Sequence, residues 1–120
     1  MKGVITLCGS TRFYKTFDYV CYQLTLNDWA VFTIGTMLNR DDKLVEVTKE
    51  RKDLFDKLHR EKIIMSDAIF VIDPNGYTGE QTEAEIDFAK ENGRDVYYYS
   101  KGDLVKLAEE TMTILNKEIV

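Results

Sequence analysis

The chain is poor in the residues from which metal centres and disulfide frameworks are built. Among its 120 residues are two cysteines, Cys8 and Cys21, and one histidine, His59. The cysteines stand at no metal-binding spacing and in no redox motif, which predicts reduced thiols and a cytoplasmic protein. A solitary histidine without a paired ligand predicts a structural role for His59 and no metal site. No apolar run approaches the roughly 20 residues of a membrane span. The first residues pass directly into a strand, so no signal peptide is expected. Basic residues are outnumbered, 16 against 21 acidic, for a formal charge of −5. That balance argues against a nucleic-acid polymer as partner. It leaves room for a small anion held by one or two local cations. Internal repeats, low-complexity stretches and linkers are also absent, and residues 1–120 read as a single domain.

The patterning that is present alternates between two periods. Gly3 to Leu7 reads as a buried first strand. A helix follows from about Thr11 to Asn27, with Phe13, Phe17, Val20, Cys21 and Leu24 on one face. Trp29 to Ile34 reads as a second strand ended by Gly35, and residues 36–46 as a loop. Val47 to Met65 reads as a long helix with Leu54, Leu58, Ile63 and Met65 on its buried side. Ala68 to Ile72 is a short apolar run between Asp67 and Asp73, the pattern of a strand buried on both faces. A loop with Pro74, Asn75, Gly76 and Gly79 leads to a helix opening near Thr82 and stopping at Asn92-Gly93. Asp95 to Ser100 is a fourth strand, and Leu104 to Lys117 a last helix. Alternating strands and helices predict an α/β protein with a parallel sheet and helices on both faces. Ligands of such sheets bind beyond the carboxyl ends of the strands. The loops after the first and third strands are therefore expected to share a crevice.

Two motifs fall on that crevice. Gly9-Ser10-Thr11-Arg12 lies between strand and helix. Gly9 permits a sharp turn, Ser10 and Thr11 offer hydroxyls beside free helix N–H groups, and Arg12 adds a fork of donors. The set suits a phosphate, although Ser10 or Thr11 as a plain helix cap accounts for it equally. It lacks the further glycines of a dinucleotide-binding turn. Around the third strand, Asp67, Asp73, Glu80 and Glu85 bring four carboxylates together. Thr82-Glu83-Ala84-Glu85 has the spacing of a capping box, with Glu85 reaching back to its N-cap. The alternative for Glu85 is a carboxylate that attacks an anomeric carbon. Asp67 taken alone reads as a turn residue. Tyr77, in the crevice loop, is placed to stack on a base.

These segments resemble the nucleoside 2-deoxyribosyltransferase-like family. The resemblance runs over roughly residues 3–100 and rests on C-G-S-T-R-F after the first strand, S-D-A-I-F-V-I-D at the third, and G-Y-T-G-E-Q-T-E-A-E-I-D-F-A-K-E-N-G-R before the fourth. It implies a flavodoxin-like three-layer sandwich with a parallel sheet of four to five strands. It also implies cleavage or transfer at the N-glycosidic bond of a nucleoside or nucleoside 5′-monophosphate. By resemblance Glu85 is the nucleophile and Asp67 its acidic partner. Gly9, Ser10, Thr11, Arg12, Asp73, Tyr77, Gly79 and Thr82 would bind substrate, with the first loop on a 5′-phosphate. No cofactor is implied, and a homodimer or larger homo-oligomer is. Gln81 departs from the family's glycine, and Ile86-Asp87 from its small residue. Those departures motivate the alternative of a domain that binds a nucleotide or nucleotide signal without cleaving it. A phosphoribohydrolase would require a Gly-Gly-x-Gly-Thr loop, which the chain lacks.

Overall fold

Ala68–Ile72, the apolar run between two aspartates, forms strand β3 and is buried at every position. The computed structural model describes residues 1–34 and 48–108. The loop expected over residues 36–46 and the last helix beyond residue 108 lie outside the described residues. Strand β1, Gly3–Gly9, runs parallel beside β3, with Ile5 opposite Ala68 and Gly9 opposite Ile72. Strands β2, Trp29–Phe32, and β4, Asp95–Tyr98, pair in parallel on the outer sides of β1 and β3. The order β2-β1-β3-β4 places the reversal between β1 and β3. This is the flavodoxin-like arrangement expected from the alternating elements.

Helix α1 spans Tyr14–Leu26 behind a 3₁₀ turn over Thr11–Phe13; α2 spans Lys49–Ile64 and α3 Glu80–Glu91. Residues 103–108 are helical and are termed α4. Successive strand residues point to opposite faces of the sheet. Ile5, Leu7, Phe70 and Ile72 therefore pack on Phe17, Val20 and Leu24 of α1 and on Leu104 and Ala108 of α4. Cys8, Ile69 and Val71 face the other way, onto Ile63 of α2 and Ile86 and Ala89 of α3. The result is three layers, helix on sheet on helix.

Three expectations are corrected. Leu54, Leu58 and Met65 do not form the buried side of α2; they are 50%, 45% and 61% exposed, and the buried positions are His59 and Ile63. The buried stripe is partly polar, so the apolar pattern marked the wrong face. Helix α3 opens at Glu80 rather than Thr82, with extended Gly79 as N-cap and no side-chain capping bond. A Thr78–Glu83 side-chain hydrogen bond braces this earlier start. Strand β4 ends at Tyr98; Tyr99 N–H still donates to the Val71 carbonyl at 2.9 Å, and side chains hold the turn that follows. Tyr98 N–H donates to Asp103 at 2.8 Å, and Ser100 N–H to Asp73 at 2.8 Å.

At the carboxyl end of the β1–β3 seam a Cβ on Gly9 would lie 2.8 Å from the carbonyl oxygen of Ile72 and 3.0 Å from its Cβ. Backbone cannot yield as a flexible side chain does. Gly9→Ala is expected to destabilise the fold by about 1–3 kcal/mol. Chemical denaturation checks this: the midpoint should fall with an unchanged slope, whereas an unchanged midpoint would show that the seam is not tightly closed.

Candidate functional site

A cavity of about 420 Å³ opens beyond the carboxyl ends of the strands. The turn after β1 contributes Gly9, Ser10 and Thr11, and the loop after β3 contributes Tyr77 and Gly79. Glu80, Gln81, Thr82 and Glu85 enter from α3. Lys52, Phe55, Asp56 and His59 enter from α2, at the spacing of one helical stripe. Ile34 closes the side next to β2.

At the mouth, the Ser10 hydroxyl accepts a hydrogen bond from Arg12 N–H at 3.3 Å, which makes Ser10 the cap of the 3₁₀ turn. The Arg12 guanidinium lies over the Tyr77 ring, 4.6 Å from its centroid. The Phe13 ring meets Tyr77 edge-on at 5.8 Å. Cation and aromatic edge thus hold Tyr77 at the rim, with Arg12 itself exposed.

On the wall, three buried side chains of different kinds meet. His59 Nε2 lies 3.4 Å from Cys8 Sγ and 3.7 Å from Glu85 Oε1. The Gln81 amide donates to Glu85 Oε2 at 3.4 Å. Cys8 arrives there because the alternation that turns Ile5 and Leu7 to one face turns Cys8 to the other. Burial pushes the Glu85 carboxyl up to about 7; the Gln81 hydrogen bond opposes the rise and the Asp56 carboxylate adds to it. Burial pushes the His59 imidazole down to about 4, helped by the Lys62 ammonium. Burial, and then the Glu85 carboxylate beside it, raise the Cys8 thiol well above its usual range. Low dielectric disfavours every charged form here. The cluster is therefore neutral near pH 6 rather than an ion pair.

The sequence-predicted residues divide by place. Gly9, Ser10, Thr11, Tyr77, Gly79, Thr82 and Glu85 line the one cavity, with Arg12 over Tyr77. Glu85 is not part of a capping box, because the earlier helix start puts it in the second turn. Asp67 stands at the amino end of β3, away from the cavity, where its Oδ2 accepts Val4 N–H at 2.8 Å. Asp73 is buried and holds the β4 turn, accepting Ser100 N–H at 2.8 Å and Ser100 Oγ–H at 2.6 Å. The acidic side chains beside Glu85 on the cavity wall are Asp56 and Glu80; Asp56 is paired with Lys52 at 2.8 Å. Cys8 and the α2 stripe carried no site signal in the linear pattern. The stripe was detectable only as the spacing of positions 52, 55, 56 and 59.

Fold and site together define a flavodoxin-like α/β protein with a cavity at the carboxyl edge of its sheet. No protein-family model matches the chain, and no curated protein matches it significantly.

Asp73 and Asp67 serve the fold on this geometry. Asp73→Ala should cost about 1–3 kcal/mol, the scale for losing hydrogen bonds to a charged group, and Asp67→Ala about 1 kcal/mol. Chemical denaturation measures both losses; an Asp67→Ala protein as stable as wild type would show that the Val4 hydrogen bond adds nothing to the fold.

Proposed function

We propose that the cavity takes a nucleoside or nucleoside 5′-monophosphate and cleaves its N-glycosidic bond, with Glu85 as nucleophile. The observation that carries this reading is a buried carboxylate on the wall of a cavity whose rim presents the Ser10–Phe13 turn, with its exposed Arg12, and an aromatic ring. It agrees with the resemblance to the nucleoside 2-deoxyribosyltransferase-like family. The base would stack near Tyr77, and Thr11 and Arg12 would take the phosphate. Glu85 Oε attacks C1′ and forms a glycosyl ester. The base departs with the C1′–N electron pair and takes a proton from solvent at the mouth. Water or a second base then displaces the ester and frees Glu85, with net retention at C1′. Asp67 has no part in this scheme; Asp56 and Glu80 are the acids near enough to orient the sugar.

A second reading, binding without cleavage, is favoured by the raised carboxyl of Glu85, which is half protonated at neutral pH. Incubation with a panel of nucleosides and nucleoside monophosphates separates the two. Release of free base supports the first. Intact nucleotide recovered after tight binding, with wild type equal to Glu85→Gln, replaces it with the second.

The pH dependence has a definite sign. A nucleophilic Glu85 must be ionised, so base release should rise with pH through about 7 and then level. Glu85→Gln should lower it at least about a thousandfold. Stability moves the opposite way. Because the folded carboxyl titrates above its ordinary value of 4.5, folding favours the neutral acid, and stability is lost as pH rises from about 4.5 to about 7. His59 acts in the reverse sense, losing stability as pH falls from 6.5 towards 4. The two partly cancel in the wild type, so the difference between wild type and Glu85→Gln is the useful measurement. That variant should gain roughly 2–3 kcal/mol relative to wild type between pH 4.5 and pH 8. A gap that does not change with pH would show that Glu85 titrates normally.

A second copy of the chain is the partner this reading includes. Leu54, Leu58 and Met65 make an exposed stripe along α2, and Phe55, 45% exposed, lies between that stripe and the cavity. A copy seated on the stripe would extend the cavity wall. Light scattering should find a dimer that Leu58→Glu converts to monomer. A wild-type monomer at micromolar concentration, or a dimer indifferent to Leu58→Glu, would overturn this.

A further inference from the structure

Cys8, His59 and Glu85 together offer a thiol, an imidazole and a carboxylate, all buried, with ligand atoms within 4.8 Å of one another. We propose that these three side chains bind a zinc-class divalent ion through Cys8 Sγ, His59 Nε2 and Glu85 Oε1, with a fourth coordination position open to the cavity.

The distances fit. Tetrahedral zinc with ordinary bond lengths sets its ligand atoms about 3.3–3.6 Å apart. Sγ to Nε2 is 3.4 Å and Nε2 to Oε1 is 3.7 Å. The same nitrogen, Nε2, lies near both the sulfur and the carboxylate, so one ion could reach all three donors. A cysteine–histidine relay needs the carboxylate on the other ring nitrogen. His59 Nδ1 has no hydrogen-bond partner among the described residues, so that relay is not built here. Gln81 holds Glu85 Oε2 and leaves Oε1 turned towards His59, the kind of outer support that metal-bound carboxylates carry. Each donor comes from a different rigid element, β1, α2 and α3. Thiolate with imidazole selects zinc over magnesium or calcium.

The charges close. Two anionic ligands and one neutral imidazole neutralise a dication, which removes the penalty of burying the anions alone. Binding releases the Cys8 Sγ–H proton to solvent, together with whatever proton Glu85 carries, so affinity rises with pH. Because Glu85 is a ligand, an ion here and a glycosyl ester on Glu85 exclude each other. On the proposed function, zinc is therefore an inhibitor of base release that a chelator reverses. Metal binding itself stands apart from that function.

The test uses the full chain, reduced and stripped with chelator. Zinc titrated against a chromophoric competitor should bind with one equivalent. Cobalt in its place should show tetrahedral visible bands and a thiolate charge-transfer band in the near ultraviolet, a readout that needs no variant. Cys8→Ser, His59→Gln and Glu85→Gln should each lose at least about 100-fold in affinity, with folding checked by circular dichroism. Cys21→Ser should bind as wild type. Cobalt binding without a thiolate band, or zinc affinity unchanged in Cys8→Ser and His59→Gln, overturns the site. If base is released, saturating zinc should abolish it; release that persists shows the ion lies elsewhere. If no base is ever released, the proposed function fails while the titration and the cobalt spectrum still decide the metal site.

Discussion

The structure depends on the parallel seam between β1 and β3. Both strands lie in the middle of the sheet, and β3 is buried throughout. The seam stays closed to its carboxyl end because Gly9 brings no Cβ against the Ile72 carbonyl. Beyond that point the chain has to part. The turn after β1 leads to α1 on one face, and the loop after β3 leads to α3 on the other. A crevice at this reversal is a consequence of strand order. The cavity, the Ser10–Phe13 turn and the Tyr77 loop all inherit their places from it.

At the closed end of the crevice a second constraint operates. Cys8, His59 and Glu85 sit in a layer otherwise made of Ile63, Ile69, Val71, Ile86 and Ala89. Such surroundings penalise charge, so thiol and carboxyl hold their protons and the imidazole refuses one. A carboxyl titrating near 7 is poised to change state close to physiological pH. Groups displaced this far mark functional sites more often than chance. The stability that the fold gives up when Glu85 ionises is the thermodynamic counterpart of that poise.

Helix α2 carries two surfaces. One face runs Lys52, Asp56, His59 and Ile63, passing from the cavity into the core. The opposite face exposes Leu54, Leu58 and Met65. A monomer in water gains nothing by showing three large apolar side chains in register. The polar stripe is turned inward because Ile63 and His59 pack on the central strands β1 and β3 and fix the helix's rotation.

The sequence by itself determined the elements and their order. The apolar run at Ala68–Ile72, the 3.6-residue periodicity of α1 and α3, and the strict alternation of strand and helix predict a parallel three-layer protein with a crevice after its first and third strands. These signals are local, and local periodicity survives in a linear reading. Gly9, Ser10, Thr11, Tyr77 and Glu85 were legible as crevice residues for the same reason. Tertiary structure alone decided the rest. Asp67 and Asp73 are separated by the five residues of β3, yet one end of β3 faces away from the cavity, and the partner of Asp73 is Ser100 in the turn after the neighbouring strand β4. Cys8 and His59, 51 positions apart, meet because β1 and α2 pack on the same face. No periodicity marks which polar side chain will be buried beside another. That depends on the rotation of a helix about its axis, which is set by the whole core at once.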